Sequence, residues 1–299
     1  MKNIQEALLE RISKINVCTN GDKRSPHKPL LILLNLARVQ ASKPRLVPFA
    51  EIEEKLVRML SDFGPVSARK TPHLPFWHLK SDGFWEIPKP EGVLTSSGSI
   101  SRKFLRDNNV EGGFTAEVYE LLRAQPELVE RICDIILDNH FPPSIRQDIL
   151  DEAGLDFEAD LSVSGARKAK RDPAFRKRIM EAYEYRCAIC DFSVRMEHTP
   201  IALEAAHIKW FQAGGPDVET NGLALCSLHH KLLDRGVMAI NRDLNILVSE
   251  KANGHAGFQE WVLDFEGKPL RTPRNKDYLP NPDFTDWHIR EVFQSKYTK

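Results

Sequence analysis

Residues 203–211 read LEAAHIKWF and residues 221–236 read NGLALCSLHHKLLDRG, and these two segments decide the fold of the second half of the chain. The first predicts a short strand, and the second predicts another strand that runs directly into a helix. The alternating segments VMAIN and LNILV follow, separated by Arg242-Asp243, and predict a hairpin. The order strand, loop, strand, helix and hairpin indicates a small mixed α+β unit.

Two short metal-binding motifs bracket this unit. Cys187-Ala-Ile-Cys190 is a CxxC motif, and Cys226-Ser-Leu-His229 is a CxxH motif beyond the long intervening loop. Three thiolates and one imidazole are the ligands of a closed, tetrahedral structural zinc site. We therefore predict that Cys187, Cys190, Cys226 and His229 bind one structural Zn²⁺.

A second set of polar residues lies inside the same bracket. It consists of His207, Asn221, His230 and Asp234. On the predicted helix, His230 and Asp234 are i and i+4, so their side chains share one face. An imidazole and a carboxylate on one face can hold a single divalent ion, with water or substrate oxygens in its remaining positions.

With both zinc pairs in register, these residues make segment 183–250 similar to the HNH nuclease family, in its zinc-stabilised branch. The resemblance implies a ββα-metal nuclease domain that uses Mg²⁺ or Mn²⁺ to hydrolyse phosphodiester bonds. It also implies that His207 is the general base, that Asn221 braces the loop behind it, and that His230 binds the catalytic ion.

One position departs from this family pattern. Relatives often carry Asp, Glu or His directly before the base histidine, whereas this chain carries Ala206. Asp234 occupies a position where relatives place another metal or phosphate ligand. Either Asp234, with Glu204, compensates for the ligand missing at Ala206, or the metal is held more loosely.

The first half of the chain, residues 1–155, predicts a helix-rich domain with a small hairpin. The segment LLILLNLARVQ after Pro29 is so apolar that it predicts a central core helix. Amphipathic patterns predict further helices in FAEIEEKLVRMLSDF, AEVYELLRA, PELVERICDIILDNH and PSIRQDILDEAG. The turn residues 81–83 (Ser-Asp-Gly) lie between two aromatic runs and predict the hairpin. Residues 156–172 are polar and charged and predict a linker, which leaves residues 173–299 for the nuclease domain.

A second resemblance covers residues 15–110. The segments HKPLLILL and PFWHLKSDGFWEI, and the order of the domains, are similar to the sulfur-binding domain of phosphorothioate-dependent type IV restriction endonucleases. In that family a shallow apolar pocket receives the sulfur that replaces one phosphate oxygen of DNA. The resemblance implies a DNA-binding set made of Leu74, Pro75, His78, His27, Lys28 and Arg102.

The composition is compatible with these resemblances but does not establish them. The 299 residues carry 42 basic and 42 acidic side chains, so the net charge gives no sign of a nucleic-acid partner, although a local patch would suffice. No apolar run approaches the length of a membrane span, and the 5 cysteines and a charged N-terminus favour a reducing cytoplasm.

The leading hypothesis is a restriction endonuclease that recognises phosphorothioated double-stranded DNA and acts as a homodimer. Two alternatives stay open at this point. One is an HNH endonuclease that reads a methylated or hydroxymethylated base by flipping it into a pocket. The other is a zinc-stabilised DNA-binding protein without catalytic activity.

Overall fold

The computed structural model describes residues 2–15, 23–66, 70–88, 100–157 and 172–295. In the first half the helices are α1 (Lys2–Ser13), α2 (His27–Gln40), α3 (Phe49–Phe63), α4 (His73–His78), α5 (Arg102–Asp107), α6 (Ala116–Ala124), α7 (Pro126–His140) and α8 (Arg146–Ala153). Three short strands accompany them: β1 (Leu46–Pro48), β2 (Trp85–Glu86) and β3 (Glu111–Phe114).

Helix α2 is the centre of the first half, as the sequence predicts. Its residues 30–33 have no solvent exposure, and α3, α4, α6, α7 and α8 all contact it. A helix that is apolar on every side must be covered on every side. Strand β3 lies between β1 and β2 in an antiparallel sheet at the edge of this bundle.

The predicted hairpin around residues 81–83 is wrong. Residues 73–78 form α4, and a 3-10 helix (Leu79–Asp82) follows directly. Phe76 and Leu79 are fully buried and stand three residues apart, which is helical rather than alternating spacing. Gly83 does adopt a left-handed conformation (φ 78°), but the strand after it pairs with β3 and not with the preceding aromatic run.

In the second half the elements are α9 (Phe175–Ala182), β4 (Val194–Met196), β5 (Thr199–Ile201), β6 (Leu203–His207), β7 (Gly222–Cys226), α10 (Ser227–Asp234), β8 (Met238–Ile240), β9 (Ile246–Val248), α11 (Phe258–Trp261) and α12 (Pro282–Glu291). The predicted strand, loop, strand and helix are β6, β7 and α10, and the predicted hairpin is β8–β9. Strands β6 and β7 are antiparallel, and His207 is paired with Gly222. A side chain at Gly222 would lie 2.2 Å from Ile179, so α9 packs on β7 only because this residue is glycine.

The two halves have separate apolar cores that meet at one face. Trp210, Trp287 and Val292 come from the second half but are buried in the core of the first. Trp210 and the C-terminal part of the chain therefore join the second half to the helical first half. Of the predicted linker, residues 158–171 lie outside the described residues. Within the described part of the chain, no helix has both the length and the apolarity needed to cross a bilayer.

Candidate functional site

The structure brings the four predicted zinc ligands into one cluster. The ligand atoms of Cys187, Cys190, Cys226 and His229 lie within 4.8 Å of one another. His229 Nδ1 is 3.2 Å from Cys226 Sγ and 3.7 Å from Cys187 Sγ, and its Nε2–H donates to the Trp261 carbonyl oxygen at 3.0 Å. This last bond fixes the ring so that Nδ1 faces the thiols.

The thiols of the cluster shift one another's pKa. Contacts with the Cys190 and Cys226 thiols lower the pKa of Cys187 well below its usual value, while the same kind of contact raises the pKa of Cys190. A thiolate is thus readily formed at Cys187, and thiolates are the form that zinc binds. The cluster is compatible with one Zn²⁺ in a closed Cys3His site.

The predicted base, His207, stands at the end of β6. Its Nε2 lies 2.7 Å from Asp217 Oδ1, and its ring stacks on Phe175 with the centroids 4.4 Å apart. The carboxylate therefore accepts the Nε2–H, and the tautomer so fixed carries its lone pair on Nδ1. Sequence reasoning missed both partners of His207, although an acidic residue in the loop before Asn221 was a usable signal for the first.

Asn221 is fully buried and closes the loop that follows His207. Its Oδ1 accepts from the Lys209 amide at 2.8 Å, and its Nδ2 donates to the carbonyl oxygens of Lys209 and Pro216, both at 3.0 Å. A buried amide with every bond satisfied is a rigid brace. These three hydrogen bonds fit the bracing role that the resemblance implies for Asn221.

His230 lies between two carboxylates. Its Nδ1 is 2.6 Å from Glu204 Oε2, and its Nε2 is 3.1 Å from Asp234 Oδ2. Burial alone lowers the pKa of His230, but the hydrogen bonds to Asp234 and Glu204 outweigh burial and raise the pKa to about 10. The bond from His230 in turn lowers the pKa of Glu204 to about 2, against the opposing effect of burial. The His230 ring is thus held on both sides by carboxylates, in a site that favours positive charge.

One cavity of about 580 Å³ connects these groups. It is lined by Glu204, His207, Asp217, His230 and Asp234 from the second half and by Pro142, Pro143 and Ser144 from the first. The predicted base and the predicted metal-binding histidine therefore open into the same space. The participation of residues 142–144 was not predicted, because no local pattern links them to a site so distant in sequence.

In the first half, α4 carries the predicted pocket residues. Leu74 is 38% exposed and His78 is exposed one turn later on the same face, whereas Pro75 is buried. The pKa of His78 is lowered by burial and then by the nearby cations of Lys28 and Lys80. Lys80 Nζ also lies 3.1 Å from the centroid of the Trp77 ring. The surface around α4 thus combines apolar side chains with cations.

The other predicted DNA-binding residues flank α4, but two of them are already paired. Lys28, in the first turn of α2, lies with its Nζ 2.5 Å from Asp82 Oδ2, and both side chains are largely buried. The Arg102 guanidinium binds Glu53, a buried carboxylate. His27 is half-buried at the start of α2, next to Lys28.

Comparison with known proteins gives two family matches. Residues 5–158 match the family described as ScoMcrA-like, DNA sulfur-binding domain, and residues 187–241 match a family described as HNH endonuclease. The first match covers more than half of the chain. No curated protein matches the sequence.

Several solved structures are similar to about half of the chain. The sulfur-binding domain of ScoMcrA complexed with phosphorothioated DNA is 24% identical, with a TM-score of 0.44 over 49% of this chain and 94% of that one. The sulfur-binding domain of SprMcrA complexed with phosphorothioated DNA is 19% identical, with a TM-score of 0.44 over 50% and 94%. The type IV phosphorothioation-dependent restriction endonuclease ScoMcrA is 22% identical, with a TM-score of 0.42 over 49% and 32%.

Proposed function

The chain belongs to the family that carries a ScoMcrA-like DNA sulfur-binding domain, and on that premise we propose that it recognises phosphorothioated DNA with residues 1–155 and cleaves it with residues 173–299. The observation that carries the proposal is the cavity that His207 and His230 share, in a chain whose first half matches a sulfur-binding domain. It is a modification-dependent endonuclease in which one half selects the substrate and the other hydrolyses it.

The proposed chemistry begins at His207. With its Nε2–H held by Asp217, the ring takes a proton from the attacking water through Nδ1. Phe175 stacks on the ring and fixes its plane, and Asn221 fixes the loop on the other side. General-base catalysis of this kind contributes roughly 10²–10⁴-fold to the rate.

HNH endonucleases are metal-dependent, and the residues around His230 fit a hard divalent ion. Glu204, His230 and Asp234 offer carboxylate oxygens and an imidazole, a ligand set that suits Mg²⁺ or Mn²⁺. Glu204 is half-exposed in the cavity, whereas Asp234 is buried. We therefore assign the ion to His230 Nδ1 and Glu204, with Asp234 as the carboxylate that orients the ring through Nε2. When bound, the ion stabilises negative charge on the phosphate and the leaving oxygen.

Sulfur recognition follows from the surface of α4. Leu74 and His78 are exposed on α4, and we propose that this face, with the neighbouring Pro75, offers an apolar contact to one atom of the DNA backbone. Sulfur is larger and more weakly hydrated than the oxygen that it replaces. An ordinary phosphate oxygen would lose its water there without a replacement, at a cost of about 1–3 kcal/mol per unpaired polar group. Selection thus comes largely from a penalty on unmodified DNA.

The test uses the zinc-loaded full chain with Mn²⁺ and three duplexes of one sequence. One duplex carries a single phosphorothioate, the second carries methylcytosine, and the third is unmodified. We expect cleavage of the first alone. Cleavage of the methylated duplex alone would favour the base-reading alternative, and no cleavage of any duplex would favour a non-catalytic protein.

A matched pair of variants tests the role of α4. Leu74→Ser places a hydroxyl in the proposed pocket, and Leu263→Ser changes a leucine of equal exposure, 38%, in the second half. We expect Leu74→Ser to bind modified and ordinary duplexes with nearly equal affinity. Leu263→Ser should keep the preference of the parent chain.

We also propose that two chains act together, since one HNH centre cuts one strand and a double-strand break needs two. Cross-linking on a modified duplex would then yield a dimer.

We further propose a cytoplasmic location. The cluster of reduced cysteines suits the reducing cytoplasm, where such an enzyme meets DNA.

A further inference from the structure

The nuclease cavity has one wall that belongs to the helical first half. Pro142, Pro143 and Ser144 form this wall, at the 3-10 turn (Pro143–Ile145) that leads into α8. The turn touches α10, the helix that carries His230 and Asp234. The proposed metal site is therefore assembled from both halves of the chain.

At this wall, one contact between the halves is a hydrogen bond to a buried carboxylate. Ser144 Oγ donates to Asp234 Oδ2, the same oxygen that lies 3.1 Å from His230 Nε2. The Asp234 side chain is 2% exposed, so it has little water with which to replace a lost partner. Its orientation is set by Ser144 on one side and by His230 on the other.

A second contact holds the same helix from the same side. Asp148, in the first turn of α8, lies 2.7 Å from Lys231 Nζ and 3.6 Å from Arg235 Nε. These cations flank His230 and Asp234 on α10, and the Arg235 guanidinium also lies 4.3 Å from the centroid of the Phe63 ring. Helix α10 is thereby fixed to the first half by polar bonds on both sides of Asp234.

We propose that Ser144 is a positioning residue of the nuclease, which fixes Asp234 and, through it, holds the His230 ring with Nδ1 towards Glu204. This inference rests on the proposed function, because it assigns His230 to a divalent ion. Partners that orient a metal-binding histidine typically change metal affinity by 10–100-fold when they are removed. Ser144 acts one bond further out, so we expect an effect of about tenfold.

The experiment measures Mn²⁺ affinity of the zinc-loaded full chain by the electron paramagnetic resonance signal of free Mn²⁺. The part of the binding that His230→Ala abolishes defines the site. Ser144→Ala should weaken this site about tenfold, and Ser144→Thr, which keeps the hydroxyl, should restore it. The matched control is Ser61→Ala, because Ser61 is an exposed serine of the first half that donates only to the Val57 carbonyl oxygen, at 2.9 Å.

Each outcome separates the inference from the function on which it rests. If the parent chain has no Mn²⁺ site that His230→Ala removes, the nuclease proposal fails and the role of Ser144 fails with it. If the parent chain binds Mn²⁺ and Ser144→Ala binds it equally well, only the role of Ser144 fails. If Ser144→Ala is weaker but Ser144→Thr is no better, the hydroxyl is not responsible and the inference is again overturned.

Discussion

Arg24 gives the sharpest test of how the two halves are held together. The residue is only partly buried, but its guanidinium group lies deep between the two cores. It donates to the Glu291 carbonyl oxygen at 2.8 Å and to the Phe63 carbonyl oxygen at 2.7 Å, and it lies 3.9 Å from the centroid of the Trp210 ring. One side chain thus joins α3, the end of α12 and the loop that follows His207.

The magnitude follows from the bonds that Arg24→Met would remove. Two buried carbonyl oxygens would lose a charged donor, at about 1–3 kcal/mol each, and a desolvated cation–π contact is worth about 2 kcal/mol. Against this, burial lowers the pKa of Arg24 to about 9 in spite of the carboxylates of Glu291 and Asp234, so the charge itself is costly to bury. The lost bonds outweigh this cost, and we expect Arg24→Met to lower the free energy of unfolding by about 3 kcal/mol.

The assay is urea unfolding of the full zinc-loaded chain, followed by tryptophan fluorescence. Trp210 and Trp287, whose ring centroids are 6.2 Å apart, lie at this junction and report on it directly. The control is Arg123→Met. Arg123 is half-exposed, and its Nη1 forms a long ion pair of 3.9 Å with Glu120 Oε2. A surface pair of this kind contributes about 0–1 kcal/mol. If Arg24→Met lowers stability by no more than Arg123→Met does, the reasoning about the buried guanidinium is refuted.

Three further predictions follow from the site and its surroundings. Metal analysis should find zinc in the parent chain and none in Cys187→Ser. Replacement of the buried Cys133, which lies in the other core, should leave the zinc in place. Zinc retained in Cys187→Ser would contradict the assignment. His207→Ala should cleave at least about a hundredfold more slowly while binding modified DNA normally, and undiminished cleavage would rule out the general base. Burial lowers the pKa of His288 from its ordinary value of 6.5 to about 4 in the folded chain. Protonation therefore favours the unfolded chain, so the free energy of unfolding is highest above about pH 6.5 and falls by about 3 kcal/mol as the pH drops from there to 4. Urea midpoints against pH check this, and His288→Gln, which cannot titrate but can still donate to the Leu233 carbonyl oxygen, should flatten that slope.

Local patterns predicted the elements, and long-range contacts escaped them. Helix α2, the β6–β7–α10 unit and the zinc cluster were all visible, because apolar spacing and ligand spacing are properties of neighbouring residues. The turn at residues 81–83 was misread, because a short aromatic segment fits both a strand and a helix and the buried spacing of Phe76 and Leu79 decides it. Ser144 reaches the site only through folding and no sequence period marks it, whereas Asp217 was marked only by its place in the loop before Asn221.

The charges of the first half explain how an enzyme with no net charge can still select DNA. Lys28 and Arg102 stand where DNA is proposed to bind, yet Lys28 is bound to Asp82, and Arg102 shares the Glu53 carboxylate with Arg106. Cations that are already paired offer less to an ordinary phosphate, and the 42 acidic residues cancel the long-range attraction of the 42 basic ones. On the proposed function, this pairing lowers the affinity for unmodified DNA, so the small advantage of one sulfur atom at α4 would decide binding. A strongly basic surface would hold both kinds of DNA and erase that advantage, which is why a neutral chain suits a nuclease that must spare unmodified DNA.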